Sequence, residues 1–353
     1  MASSILLSPL ATLYGAITQT RLALYRRGIL NVSKLDAPVI SVGNLTTGGT
    51  GKTPLVEYVA RVIAAEGRKA CILTRGYGRE SPTERVLVSD GLTVLAGENE
   101  AGDEPRLLAE NLQGLAAVIS DANRFAAGRW AIAELASEVF ILDDGFQHVQ
   151  LARDLNVAAV DAIDAWGNGH LLPWGRLREL RTGLTRADCV VITRADQADG
   201  IDSLKREIEK VSNNRPLFTS RMRVRGLRPL HEKSFQIEVG PKPEIASPVA
   251  VFCAIGNPPS FIKQVEQEGY DVVATSQFPD HHRYDQRDVG SIVEKAKMAG
   301  ATSLITTAKD AVKLRDFCFE IPCYVLNIEI HLDNESRLVD MIHAAMRSTD
   351  FSL

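Results

Sequence analysis

Between residues 39 and 192 short apolar runs recur: Val39–Val42, Ala70–Leu73, Ala116–Ile119, Val139–Leu142, Val157–Val160 and Val190–Ile192. Helical stretches separate them. A strand that is apolar throughout cannot keep one face in water, and strands alternating with helices are joined by crossovers. The pattern therefore predicts an α/β fold with a parallel sheet covered on both faces. Ligands of such sheets collect beyond the carboxyl ends of the strands. Here those ends are polar: Thr74-Arg75-Gly76, Ser120-Asp121, Asp143-Asp144-Gly145, Asp161 and Thr193-Arg194.

The first run leads into Thr46-Thr47-Gly48-Gly49-Thr50-Gly51-Lys52-Thr53, and a helical pattern follows from Pro54 to Ala65. Strand, glycine-rich turn, Lys-Thr and helix is the layout of a phosphate-binding loop. Glycines let backbone N–H groups wrap a phosphate, and the helix N-terminus adds partial positive charge. Lys52 is placed to reach the β- and γ-phosphates, and the Thr53 hydroxyl to hold Mg²⁺. Proline at 54 is tolerated in a first helical turn, where its missing N–H is not needed. The strict pattern G-x-x-x-x-G-K-[ST] asks for glycine at position 46, where this chain has Thr46. The plainer alternative is a glycine-rich turn that merely carries Lys-Thr.

Composition narrows the setting. A chain of 353 residues most often forms two domains. A net charge of −4 gives no support for a general nucleic-acid binder. The cysteines at 71, 189, 253, 318 and 323 are scattered, with no metal-ligand spacing, which fits a reducing cytoplasm. From Ile5 to Thr20 there is no charge. Ser8-Pro9 reads as a helix start and Gly28 as a stop, so a helix is expected over Pro9–Arg27. It is a little short of the roughly 20 apolar residues a spanning helix needs. It reads either as a helix packed on the core or as an interfacial anchor with Arg21, Arg26 and Arg27 at the headgroups. Whether it spans or lies on a membrane stays open.

The texture changes over residues 215–246, where Leu217–Met222 and Phe235–Val239 read as two strands flanking a basic connection, with Pro241, Pro243 and Pro248 following. A second α/β unit begins at Val249-Ala250-Val251-Phe252 and ends in a helix over about Asp333–Arg347. The expected organisation is an N-terminal helix at 1–30, a phosphate-loop domain at 31–214, a two-stranded ribbon linker at 215–246 and a second α/β domain at 247–353.

Several segments carry candidate chemistry. Asp143 and Asp144 end an apolar strand, as the second metal-handling motif of phosphate-loop proteins does, although Asp-Gly is also a common turn pair. Gly102-Asp103-Glu104-Pro105 is a second acidic site, and Asp280-His281-His282 a site in the second unit. Arg176 or Arg178 has the right chemistry to stabilise a transferring phosphoryl group. Thr193-Arg194-Ala195-Asp196 and Thr307-Ala308-Lys309-Asp310 look like the guanine-reading motif of GTPases. A GTPase or a membrane-associated switch ATPase is therefore a rival to a phosphotransferase.

Taken together, the segment Gly43–Pro54, Arg75-Gly76-Tyr77-Gly78, Gly102–Pro105, Asp143–His148, Gly175–Glu179 and Phe278–His282 occur in one order over nearly the whole chain. The set resembles the tetraacyldisaccharide 4′-kinases of Gram-negative bacteria, in which the residue matching Thr46 is part of the pattern. The resemblance implies two α/β/α sandwich domains, the first like a P-loop NTPase, joined by a two-stranded β-ribbon. It implies transfer of the ATP γ-phosphate to the 4′-hydroxyl of a tetraacylated glucosamine disaccharide 1-phosphate, giving lipid IVA. It makes Asp103 the catalytic base with His281 tuning it, and Lys52 and Arg178 the groups that neutralise the phosphoryl. Thr53, Asp143, Asp144 and Glu179 would arrange Mg²⁺. The Thr193–Asp196 segment would then be a strand-end feature. A monomer is expected, at the cytoplasmic face of the inner membrane, with the N-terminal helix on the membrane surface.

Overall fold

The computed structural model describes residues 2–77, 79–231 and 247–347. The first half of the chain comprises α1 (Ala2–Arg26), β1 (Val39–Asn44), α2 (Lys52–Ala65), β2 (Ala70–Thr74), β3 (Val86–Ser89), α3 (Glu98–Ala101), α4 (Asp103–Asn111), β4 (Ala116–Ser120), α5 (Arg124–Leu135) and β5 (Val139–Asp143). It continues through β6 (Leu155–Asp161), β7 (Cys189–Thr193), α6 (Ile201–Ser212) and β8 (Leu217–Pro229). The second half has β9 (Val249–Cys253), α7 (Pro258–Gln267), β10 (Val272–Gln277), α8 (Gln286–Met298), β11 (Ser303–Thr307), α9 (Ala308–Ala311), β12 (Cys323–Leu332) and α10 (Glu335–Arg347).

The described strands join in the order β10-β9-β11-β12-β8-β7-β6-β1-β5-β2-β4-β3. All neighbours are parallel except β3 against β4 and β12 against β8. Every apolar run anticipated as a strand is one. The period of two sorts their side chains between opposite faces. Ile40, Val42 and Ile141 meet Leu55, Val56, Val59 and Ile63 of α2 in one cluster. Val39, Phe140 and Leu142 meet Ala127 and Ala131 of α5 in another. The second half repeats the layering, with Ala250 and Phe252 against α8 and Val249 and Val251 against α7. Each fully buried large apolar side chain contributes about 1.5–3 kcal/mol.

The structure differs from expectation in three places. The partner of β8 is β12, running antiparallel from Tyr324↔Pro229 to Leu332↔Ser220. Beyond Thr219, where pairing with β7 ends, β8 and β12 run on as a two-stranded ribbon between the halves. The other proposed arm, Phe235–Val239, lies outside the described residues. Secondly, α10, expected with the second unit, packs on the first: Leu338 and Ile342 are fully buried beside α2 and the β1 face. Their spacing of four puts both on one face of the helix. Thirdly, α1 begins at Ala2, so Pro9 lies inside it. The proline ring already has a helical φ, but inside a helix it costs the i→i−4 hydrogen bond its missing N–H cannot make and crowds the carbonyl one turn earlier. Among the described residues no helix is long and apolar enough to cross a membrane.

Candidate active site

The phosphate loop is built on β1, whose residues are all buried. Gly51 takes a left-handed conformation (φ +71°) at the start of α2, and no side chain caps that helix. Its first N–H groups are thus left for an anion. Asn44, the last residue of β1, organises the turn: its amide nitrogen donates to the Thr50 hydroxyl and the Thr46 carbonyl, each at 2.8 Å. Its Oδ1 accepts from Lys52 at 3.2 Å. Arg176 donates to the Thr47 carbonyl at 2.8 Å. Gly48 has φ +106°, a conformation that strains any L side chain, and its lack of a Cβ leaves room for the Arg176 guanidinium. The Thr193 hydroxyl donates to the Thr50 carbonyl at 2.8 Å, and Arg194 to the Gly49 carbonyl at 3.0 Å while paired with Asp161. The segment that looked like a base selector therefore braces the loop.

Beside the loop, β5 ends in Asp143 and Asp144. Asp143 accepts from the Thr74 hydroxyl at 2.9 Å, and its carbonyl accepts from Arg124 at 3.1 Å. Burial, together with the charges of Glu104 and Asp144, pushes the Asp143 carboxyl up to about 6. Burial works the same way on Asp144, but Lys52 and Arg178 outweigh it and bring that carboxyl down to about 2. Arg178 donates to Asp144 Oδ2 at 2.6 Å, and Lys52 lies 3.4 Å from Oδ1. Asp144 Oδ1 is buried and makes no hydrogen bond. Thr53, in the first turn of α2, lines the adjoining cleft. An acceptor oxygen without a donor, a second carboxylate and a loop hydroxyl suit Mg²⁺, which takes few protein ligands and completes its shell with water and phosphate. Glu179 is placed differently. Its oxygens accept from Arg186 at 2.7 and 3.0 Å and from Gln147 at 2.9 Å. Gln147 in turn accepts from Arg178 at 3.3 Å.

The third cluster spans the two halves. Gly102 (φ +92°) turns the chain into α4, so that Asp103 stands at the helix start. His281, from the loop after β10, donates through Nδ1 to Asp103 Oδ2 at 2.8 Å. Lys309 and Lys313 bring Nζ to 3.8 and 3.5 Å of the same oxygen, and Lys309 also meets Asp280 at 3.1 Å and Glu104 at 3.4 Å. Burial raises the Asp103 pKa, but the His281 hydrogen bond and the two lysines outweigh it and hold the carboxyl well below its ordinary range. The same hydrogen bond raises His281 above its ordinary 6.5. Gly256, after β9, comes so close to the phosphate loop that a Cβ there would lie 3.3 Å from the Gly49 nitrogen. Between the halves lies a cleft of about 720 Å³ whose walls include Gly49, Gly51, Thr53, Glu104 and Lys309. A smaller recess of about 110 Å³ borders Asp103, His281, Tyr77 and Arg283.

Asn44, Thr74, Arg124, Lys309 and Lys313 were not singled out for these contacts by the sequence. Asn44 and Lys309 sat inside recognised segments, whereas Arg124 opens an ordinary helix and carries no local signal.

The model of the tetraacyldisaccharide-1-P 4′-kinase family matches residues 3–347. A tetraacyldisaccharide 4′-kinase of Geobacter sulfurreducens is 43% identical over 305 residues, covering 86% of this chain and 82% of the relative. One from Desulfotalea psychrophila is 39% identical over 318 residues, covering 90% and 89%. The crystal structure of the "apo" form of LpxK from Aquifex aeolicus in complex with ATP aligns with a TM-score of 0.78 at 32% identity, over 98% of this chain and 99% of that one. The glycine loop, the paired aspartates and the Asp103–His281 contact thus sit in a chain matched along almost its entire length, and the protein belongs to the tetraacyldisaccharide 4′-kinase family.

Proposed function

We propose that the chain transfers the γ-phosphate of ATP to the 4′-hydroxyl of a tetraacylated glucosamine disaccharide 1-phosphate, forming lipid IVA. The observation that carries the mechanism is the 2.8 Å contact between Asp103 of the phosphate-loop half and His281 of the other half. The acceptor hydroxyl donates its hydrogen bond to Asp103. Its oxygen bonds to the γ-phosphorus as the bond to the β–γ bridging oxygen breaks. The proton passes to Asp103, and ADP leaves. Asp103 is a weak base beside two lysines. In a loose phosphoryl transfer the proton moves late, so its first task is to aim the hydroxyl. His281 holds the carboxylate for that task.

Lys52 and Arg178 lie against Asp144 and neutralise the transferring group. Thr53, Asp143 and Asp144 are the residues that would hold Mg²⁺, which offsets phosphate charge when bound. Glu179, committed to Arg186 and Gln147, acts on this set by fixing Gln147 beside Arg178. Both halves of the site come from one chain, so a monomer suffices.

The acceptor carries four acyl chains and stays in the bilayer, since burial is worth about 0.8 kcal/mol per CH₂. Leu10, Leu13 and Ile17 form an exposed apolar stripe on α1, followed by exposed Arg21, Arg26 and Arg27. That face fits a peripheral helix lying in the cytoplasmic leaflet of the inner membrane. Incubation with the disaccharide lipid and either ATP or GTP, beside nucleotide hydrolysis alone, tests the reading. Lipid-dependent transfer from ATP is expected. Lipid-independent hydrolysis or a GTP preference would instead support a switch protein.

A further inference from the structure

The inner face of α1 reaches the active site. Ala11 and Gly15 are buried, and Tyr14 and Thr18 half-buried, at the i, i+3, i+4, i+7 spacing of one helix face. A Cβ on Gly15 would lie 2.7 Å from Leu171 Cδ1, so the helix seats closely on the loop that carries Leu171 and Arg178. That approach brings the Tyr14 hydroxyl within 2.9 Å of the Arg178 carbonyl, to which it donates. The Arg178 N–H donates to the Leu45 carbonyl at 2.7 Å, immediately before the phosphate loop. Both backbone polar groups of Arg178 are therefore fixed, one from β1's end and one from the N-terminal helix. From this anchored backbone the guanidinium reaches Asp144 at 2.6 Å. Burial keeps the Tyr14 phenol above its ordinary 10.0, so it remains a donor.

We propose that Tyr14 is a positioning residue for phosphoryl transfer: by holding the Arg178 backbone it sets the Arg178 guanidinium, and so couples the seating of the N-terminal helix to the chemical step. The helix is then part of the active-site scaffold as well as a lipid-facing surface. This inference rests on the reading of Arg178 as a group that neutralises the phosphoryl. It ascribes to Tyr14 a role separate from membrane binding, because Tyr14 points inward while Leu10, Leu13 and Ile17 point outward.

The test is a double-mutant cycle on the full chain with Tyr14→Phe and Arg178→Ala. Activity is measured with ATP and the disaccharide lipid, and binding by co-sedimentation with vesicles of phosphatidylethanolamine and phosphatidylglycerol. Tyr14→Phe removes one hydroxyl and is expected to lower kcat about fivefold, the scale of one hydrogen bond. KM for both substrates, vesicle binding and Tm are expected to stay near wild type. In the Arg178→Ala background the same substitution is expected to cost nothing further, since no guanidinium remains to be set. Three results overturn the proposal: wild-type kcat in Tyr14→Phe while Arg178→Ala is inactive; a loss that tracks weaker vesicle binding and a raised lipid KM; or an undiminished fivefold loss in the Arg178→Ala background. Wild-type kcat in Arg178→Ala would overturn the underlying role of Arg178, and the proposal with it.

Discussion

Lys52 shows how a single side chain ties binding to chemistry. It leaves the phosphate loop, donates to Asn44 and faces Asp144 at 3.4 Å. Lys52→Ala removes the cation proposed to meet the β- and γ-phosphates and leaves Asp144 paired with Arg178. The expected outcome is loss of both nucleotide binding, read by calorimetry, and phosphotransfer. Retained nucleotide affinity would show that the loop backbone alone suffices. Arg194→Ala probes a different contact, because Arg194 donates to the Gly49 carbonyl. It is expected to weaken ATP binding without changing ATP-over-GTP preference, measured by competition. A change in preference would restore the base-reading role that the Thr193–Asp196 segment first suggested. At this scale the sequence was informative wherever a local motif carried the chemistry. Residues 46–53 and 143–144 needed only their neighbours to be read. The Asp103–His281 contact joins positions 178 residues apart, so spacing alone could not reveal it and only the family resemblance did. Arg124 and Lys313 act through tertiary placement, which leaves no pattern around them.

Elements show a similar division between local and distant information. Apolar strands and their alternating faces follow from composition and period, and every such run in the first half became a parallel strand. The β8–β12 ribbon did not. Ile328-Glu329-Ile330-His331-Leu332 alternates as a half-exposed strand should, so the signal for β12 was present. Its pairing with β8 depended on the chain returning from the second half. The same return carries α10 onto α2, the helix that presents Lys52 and Thr53. Leu338→Ala is expected to cost about 2–5 kcal/mol of stability and to lower Tm, because it empties a fully buried site between these elements. An unchanged Tm would mean α10 is dispensable to the first half. For α1, deletion of residues 1–27 is expected to abolish co-sedimentation with vesicles, since it removes Leu10, Leu13, Ile17 and the arginines after them. Persistent vesicle binding would locate the lipid surface elsewhere.

For the whole molecule, the His281–Asp103 contact is expected to make the docking of the two halves pH-dependent. His281 is raised above 6.5 by its hydrogen bond to Asp103, so its contribution is fully present below 6.5 and is lost as pH rises through the raised value. Asp103 is depressed below 3.8, so its contribution is present above 3.8 and is lost only as pH falls through the depressed value. Closure, followed by energy transfer between dyes on the two halves, is therefore expected to be strongest between these limits and to loosen toward alkaline pH. His281→Gln is expected to flatten the alkaline change, and an unaltered profile would assign closure to Lys309 and the other charges at the junction.

The proposed mechanism requires one catalytic centre assembled from both halves and acting on a lipid hydroxyl. It is tested most directly by following γ-labelled ATP with the disaccharide lipid in wild type and in Asp103→Ala. Label is expected on the 4′-oxygen of the lipid in wild type. Asp103→Ala is expected to bind ATP with near-normal affinity and to transfer almost none of it. Near-normal transfer by Asp103→Ala would contradict the account.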